Sequence, residues 1–162
     1  MMHKYRYVRR VSPEQLDVGD RLGLDLAQDT WAVARARILD VVGPAIGDQE
    51  RYDEPTEKQI AWAKSLGIDV MGQSYRVAYA LIQDALWERE NQLIRDMRLR
   101  PGDTVARERE LEIEGDIHHL REEFVISSIS DDGRLYFRGT GAKSGWPSQL
   151  KKVDKRHPPG GR

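Results

Sequence analysis

The sequence predicts an α+β protein with β segments at both ends and helices between them. Three observations carry this. Residues 55–98 place capping residues and a glycine stop around apolar positions at helical spacing. Residues 99–153 hold apolar runs on either side of Asp131-Asp132-Gly133, a hairpin signal. Residues 31–39 alternate with period two, as a half-buried strand would.

The N-terminal β segment is expected over 1–54. Tyr5 and Tyr7 alternate with Lys4, Arg6 and Val8, and Gly19-Asp20 reads as a turn into an extended run. In the stretch from Trp31 to Leu39, a strand puts Trp31, Val33, Arg35 and Arg37 on one face and Ala32, Ala34, Ala36 and Ile38 on the other. Alanine is a poor strand former, so a helix is the rival reading. Gly43-Pro44 ends the stretch, and a loop is expected to follow.

The middle segment, 55–98, opens with Thr56-Glu57-Lys58-Gln59, a capping box in which Thr56 accepts from the N3 amide and Gln59 reaches back. Ile60, Ala63 and Leu66 line one face, and Gly67 is placed to stop the helix in the left-handed conformation, with Ile68 as the apolar contact beyond. Ser74 is a second N-cap. From Tyr75 the apolar spacing predicts a helix of about 23 residues, roughly 34 Å long.

The C-terminal segment, 99–153, begins with Pro101-Gly102-Asp103 before a strand. Leu111-Glu112-Ile113-Glu114 alternates ahead of a Gly115-Asp116 turn, and the Asp131-Asp132-Gly133 hairpin follows. Gly139 to Gly145 is a loop, and Trp146-Pro147 leads to a last short strand. Residues 154–162 are expected to be a disordered tail, since His157-Pro158-Pro159-Gly160-Gly161 holds no regular element.

A weak repeat links the two ends: Leu16-Asp17-Val18-Gly19-Asp20-Arg21-Leu22 matches Leu99-Arg100-Pro101-Gly102-Asp103-Thr104-Val105. Gly-Asp turns of this kind, with the late Trp146-Pro147 and Leu150, resemble the openings of SH3-like small barrels of the KOW and Tudor type. The resemblance implies a small β-barrel at each end, or one composite barrel built from both. Residues 56–86 resemble a degenerate SAP-type two-helix domain through Leu66-Gly67-Ile68, Val70, Gly72, Ser74, Val77, Leu81, Ile82 and Leu86. That resemblance implies nucleic-acid contact by the second helix's amino end and nearby cations. The family usually places a lysine shortly after the second glycine, where this chain has Ser74 and Tyr75.

A formal charge of −1 hides an asymmetry. Lys4, Arg6, Arg9 and Arg10 give residues 1–10 a charge of +4, and residues 149–162 also carry +4, leaving −9 between them. The segment 103–123 has eight acids against Arg107, Arg109 and Arg121. Basic ends attract phosphate or other anions.

Chemistry is excluded on several counts. Cysteine is absent, so there are no disulfides, thiol nucleophiles or Cys-based metal sites. Asp116-Ile117-His118-His119-Leu120-Arg121-Glu122-Glu123 is the tightest cluster of metal-capable groups. Consecutive histidines on a strand point to opposite faces, so a polar loop or helix end is expected there rather than a metal site. Ser127-Ser128 reads as strand filling, and the glycines of 139–145 lack phosphate-loop spacing. No cofactor and no enzymatic activity are expected. No apolar run approaches 18 residues and no signal-peptide pattern opens the chain, so a cytoplasmic, non-membrane protein is expected.

The favoured function is a non-catalytic nucleic-acid-binding accessory protein, with DNA the favoured partner and a larger nucleic-acid-processing complex a further one. Its candidate contacts are Lys4, Tyr5, Arg6, Arg9, Arg10, Trp31, Arg35, Arg37, Lys58, Lys64, Arg76, Lys143, Lys151 and Lys152. Aromatic rings stack on bases and the cations meet phosphate. The alternative is a protein-interaction adaptor or inhibitor whose acidic body docks on a basic partner or mimics nucleic acid.

Overall fold

The computed structural model describes residues 9–48, 53–139 and 143–154. The protein is α+β, and the described residues form four α-helices followed by a five-stranded antiparallel sheet. It divides into two compact units, one ending at Glu88 and the other beginning at Arg89, so the division falls inside a helix.

From Pro13 to Ile46 the regular elements of the first unit are helices, which overturns the β segment expected there, while its Tyr5 and Tyr7 stretch lies outside the described residues. Helix α1 (Pro13–Leu22) is set by a capping box: Ser12 Oγ accepts the Gln15 amide, Gln15 Oε1 accepts the Ser12 amide, and Pro13 sits at N1. Gly19, expected at a turn, lies within α1. A Cβ there would fall 2.7 Å from Leu26 Cδ1, so the glycine serves close packing rather than a bend. Helix α2 (Trp31–Val42) starts at Thr30, whose hydroxyl accepts the Val33 amide. The alternating alanines that mimicked a strand are strong helix formers. In the helix, Val33 and Ala36 share one face and pack on Val77 and Ala80. A 3-10 turn, Gly43–Ile46, follows.

Helix α3 (Glu57–Ser65) carries the Thr56–Gln59 capping box. It ends as Gly67 (φ 73°) turns left-handed, and the amides of Gly67 and Ile68 return to the carbonyls of Lys64 and Ala63. Helix α4 (Tyr75–Asp96) begins at Ser74, whose hydroxyl accepts the Val77 amide. Buried Gln59 donates through Nε2 to the Tyr75 carbonyl, fixing the start of α3 against the start of α4. Ala63, Val70, Ala78 and Ile82, with Ile60, Leu66, Ile68, Leu81 and Leu86, form the core of this helix pair.

In the second unit, Gly102 (φ 94°) and Asp103, whose carboxylate accepts the Arg100 amide, make the turn into β1 (Thr104–Ile113). The Gly-Asp turn therefore holds here and not at Gly19-Asp20. Strand β2 (Asp116–Ile129) returns through Glu114-Gly115, both with positive φ (53° and 89°), as a two-residue hairpin loop requires. Strands β3 (Leu135–Phe137), β4 (Ser144–Gly145) and β5 (Lys151–Lys152) complete the order β4-β3-β2-β1-β5, with a 3-10 turn at Pro147–Gln149 before β5. The sheet stays open, so neither expected barrel forms. Its core is Leu99, Val105, Ile126, Leu135, Phe137 and Leu150.

The β1–β2 ribbon runs past this core. From Glu108 to Arg121 every residue is exposed, and the segment expected as a polar loop or helix end is strand. His118 and His119 fall on opposite faces, paired with Leu111 and Glu110. Among the described residues no group of acids and histidines could hold a metal ion, and no helix is long and apolar enough to cross a membrane.

Candidate nucleic-acid interface

Period-two alternation puts Arg107 and Arg109 on one face of β1, with Glu108, Glu110 and Glu112 on the other. Arg134, from the turn before β3, and Trp146 and Gln149, from the segment after β4, close around the arginine face. Together with Ser144, Gly145 and Glu108 they line a cavity of about 560 Å³.

The cations are held by rings. Phe124 stacks on Phe137 at 4.6 Å, and the Arg107 guanidinium sits 5.4 Å from the Phe124 centroid, with Lys143 Nζ at 5.7 Å. Arg134 lies 5.0 Å from the Trp146 ring centre. Arg107 Nη2 donates to the Ser144 carbonyl at 3.3 Å, while its buried Nε finds no acceptor among the described residues. Gly145 makes room for that guanidinium, since a Cβ there would stand 2.7 Å from Nη2.

Among the described residues Glu108 is the one carboxylate on the cavity wall, and its charge is answered by neighbouring cations. Lys151 bonds it at 2.7 Å and Arg121 lies at 3.5 Å, with the Lys151 hydrogen bond holding its carboxyl below the usual value. Buried Glu90 supports the far wall by accepting from the Ser148 amide (2.9 Å) and hydroxyl (2.6 Å), which anchors the turn carrying Trp146 and Gln149.

The helical unit has a second aromatic concavity, of about 440 Å³, between α2 and α4. Trp31 and Arg35 form one side, Tyr79, Gln83 and Trp87 the other, over Ala36 and Ala80. Trp31 is 40% exposed and Tyr79 51%. Arg35 stands 6.0 Å from the Trp31 ring centre, one helical turn on.

The fourteen residues nominated from sequence fare unequally. Lys4, Tyr5 and Arg6 lie outside the described residues. Arg9 and Arg10 are exposed beside α2, where the Arg9 carbonyl accepts the Trp31 amide and Arg10 bridges Thr30. The expected Trp31/Arg35/Arg37 strand face is a helix, so only Trp31 and Arg35 share a side, and Arg37 bonds Asp29 at 2.9 Å. Arg76 pairs with Asp48 at 2.8 Å and Asp40 at 3.6 Å. Lys151 is tied to Glu108 and Lys152 to Asp103 at 3.0 Å. Lys58 and Lys64 are exposed on α3, and Lys143 stands over the Phe124 ring.

Arg107, Arg109, Arg134, Trp146 and Gln149 were not nominated. The signal was present for two of them: sorting 103–123 by strand face separates Arg107 and Arg109 from the glutamates that dominate its net charge. Compared with known proteins, the chain matches no family model, no curated protein and no solved structure.

Proposed function

We propose that this is a non-catalytic nucleic-acid-binding accessory protein, with DNA the favoured partner, that grips the phosphate backbone in the arginine cavity of its sheet. One observation carries the reading: Arg107, Arg109 and Arg134 converge on a concavity with Trp146 and Gln149, where the one acid among the described lining residues, Glu108, is already paired with Lys151 and Arg121. Guanidinium groups bind phosphate bidentately, and those of Arg107, Arg109 and Arg134 all line this concavity.

The SAP-type reading of 56–86 has support in the capped α3–α4 pair around its own small core. Phosphate at the start of α4 meets opposition, however. The Ser74 hydroxyl donates to Asp40 there, and Asp40 and Asp48 hold Arg76. Carboxylates thus occupy the place an anion would take at that helix end. The phosphate grip is therefore assigned to the sheet rather than to the start of α4.

Fluorescence anisotropy titrated with salt tests this. Binding is expected to weaken steeply as salt rises, and Arg109→Gln and Arg134→Gln should each reduce the log–log slope by about 1. Absence of binding at about 50 mM salt overturns the reading. A second reading, an adaptor for a basic partner, rests on the ribbon tip, where Glu110, Glu112, Glu114 and Asp116 are all exposed.

A further inference from the structure

We infer that the bound nucleic acid is single-stranded, its bases entering the two aromatic concavities; this rests on the nucleic-acid reading above. Each unit, taken by itself, pairs aromatic rings with arginine in a hollow: Arg107, Arg109 and Arg134 with Trp146 in one, Arg35 with Trp31 and Tyr79 in the other. Stacking on a ring needs a base whose face is free. A duplex buries its base faces and offers only edges and phosphates, whereas a single strand presents both base faces and backbone.

Charge complementarity points the same way in the helical hollow. Among the described residues no carboxylate pairs with Arg35, and its guanidinium stands beside Trp31, placing a phosphate partner next to a stacking surface. Both hollows fall in the size range of sites for small organic molecules, which suits an unstacked nucleotide.

The sheet also argues against a duplex. A two-stranded ribbon has the right dimensions for a major groove, and the β1–β2 ribbon projects beyond its core. Its faces forbid that use. Glu108, Glu110, Glu112 and Glu123 lie on one side, and Asp116 and Glu122 on the other. Inside a groove these carboxylates would face phosphates of both strands. The arginines that remain attractive are those at the ribbon's base, within the cavity.

The experiment uses the full chain and three labelled probes of one sequence: a deoxy single strand, the ribo single strand, and the deoxy duplex. Each is titrated by anisotropy at about 50 and 200 mM salt. Both single strands, or one of them, should bind at least about tenfold tighter than the duplex, and the tighter one identifies the natural sugar. Trp31→Ala and Tyr79→Ala, at exposed positions, should each weaken single-strand binding about 5- to 150-fold while leaving the salt slope unchanged. Arg134→Gln should lower the slope instead. Duplex binding equal to or tighter than both single strands overturns this inference and leaves the phosphate grip standing. So does wild-type affinity in both folded aromatic variants, checked by circular dichroism. Failure of all three probes to bind overturns the nucleic-acid reading itself.

Discussion

A Cβ added at Gly145 would approach Arg107 Nη2 to 2.7 Å, while its next neighbours, Phe137 and Leu150, stay at ordinary contact distance of 3.4–3.5 Å. The clash is with the far end of a flexible side chain, so the guanidinium gives way rather than the sheet. Gly145→Ala is expected to change stability by less than about 1 kcal/mol, because the backbone there needs no left-handed conformation. Displacing Arg107 from Ser144 and Phe124 should nonetheless weaken nucleic-acid binding severalfold. Thermal unfolding and anisotropy on the same preparation separate the two effects. Asp84 shows the opposite economy. One of its carboxylate oxygens accepts from Thr30, while the other is buried without a partner among the described residues. Burial pushes its carboxyl above the usual carboxylate range, against the lowering effect of the Thr30 hydrogen bond. The folded state thus holds the proton more tightly than the unfolded chain. Asp84's contribution to stability is fullest below the unfolded value of about 3.9 and is lost as pH rises through the folded value. Asp84→Asn keeps an oxygen for Thr30 and removes the buried charge. It should flatten that dependence and stabilise the protein at neutral pH by about 1 kcal/mol, as read from urea unfolding at two pH values.

At the scale of elements, what the sequence disclosed were features that depend on a few neighbouring residues. The Thr56–Gln59 box, the Gly67 stop, the Ser74 cap and the Asp131-Asp132-Gly133 hairpin all stand where local chemistry puts them. The Ser12–Gln15 box was equally local, with Pro13 inside it, but the Gly19-Asp20 motif drew the segment toward a strand. The error at α2 has a different origin. Over Trp31–Leu39, Ala, Val and Arg alternate by chance with period two, and Val33 and Ala36 are also three apart. Only their burial against Val77 and Ala80, far along the chain, decides between the periods. The arginine cavity was hidden for a similar reason. Arg134, Trp146 and Gln149 reach Arg107 and Arg109 through the pairing of β1 with β2, of β2 with β3 and of β3 with β4. Neither that pairing nor the Glu90–Ser148 anchor leaves a trace in sequence spacing. Most nominated cations, by contrast, were chosen for local density, and tertiary structure gives Arg37, Arg76, Lys151 and Lys152 to nearby carboxylates.

For the molecule as a whole, each unit has its own apolar centre, and the two differ in kind. The helical unit relies on small residues, with Ala36 and Ala80 in one cluster and Ala63 and Ala78 in the other, so its helices approach closely over little side-chain area. The sheet unit is centred on larger groups: Ile126 and Leu135, both fully buried, with Val105, Leu150 and Phe137. Helix α4 supplies Val77, Ala78 and Ile82 to the former, while its last turns bring Ile94 to the latter. Truncation at the centre of the sheet therefore tests how far stability is shared. Ile126→Ala should cost about 2–5 kcal/mol in the sheet unit, since it removes transfer energy and leaves a cavity. With separate cores, hydrogen exchange should quicken at the amides of β1, β2 and β3 while α2 and α3 keep their wild-type protection. Equal loss of protection in α2 and α3 would mean instead that α4 joins the two cores into one cooperative unit. Substitutions in the arginine cavity would then have to be read against the stability of the whole chain rather than of the sheet alone.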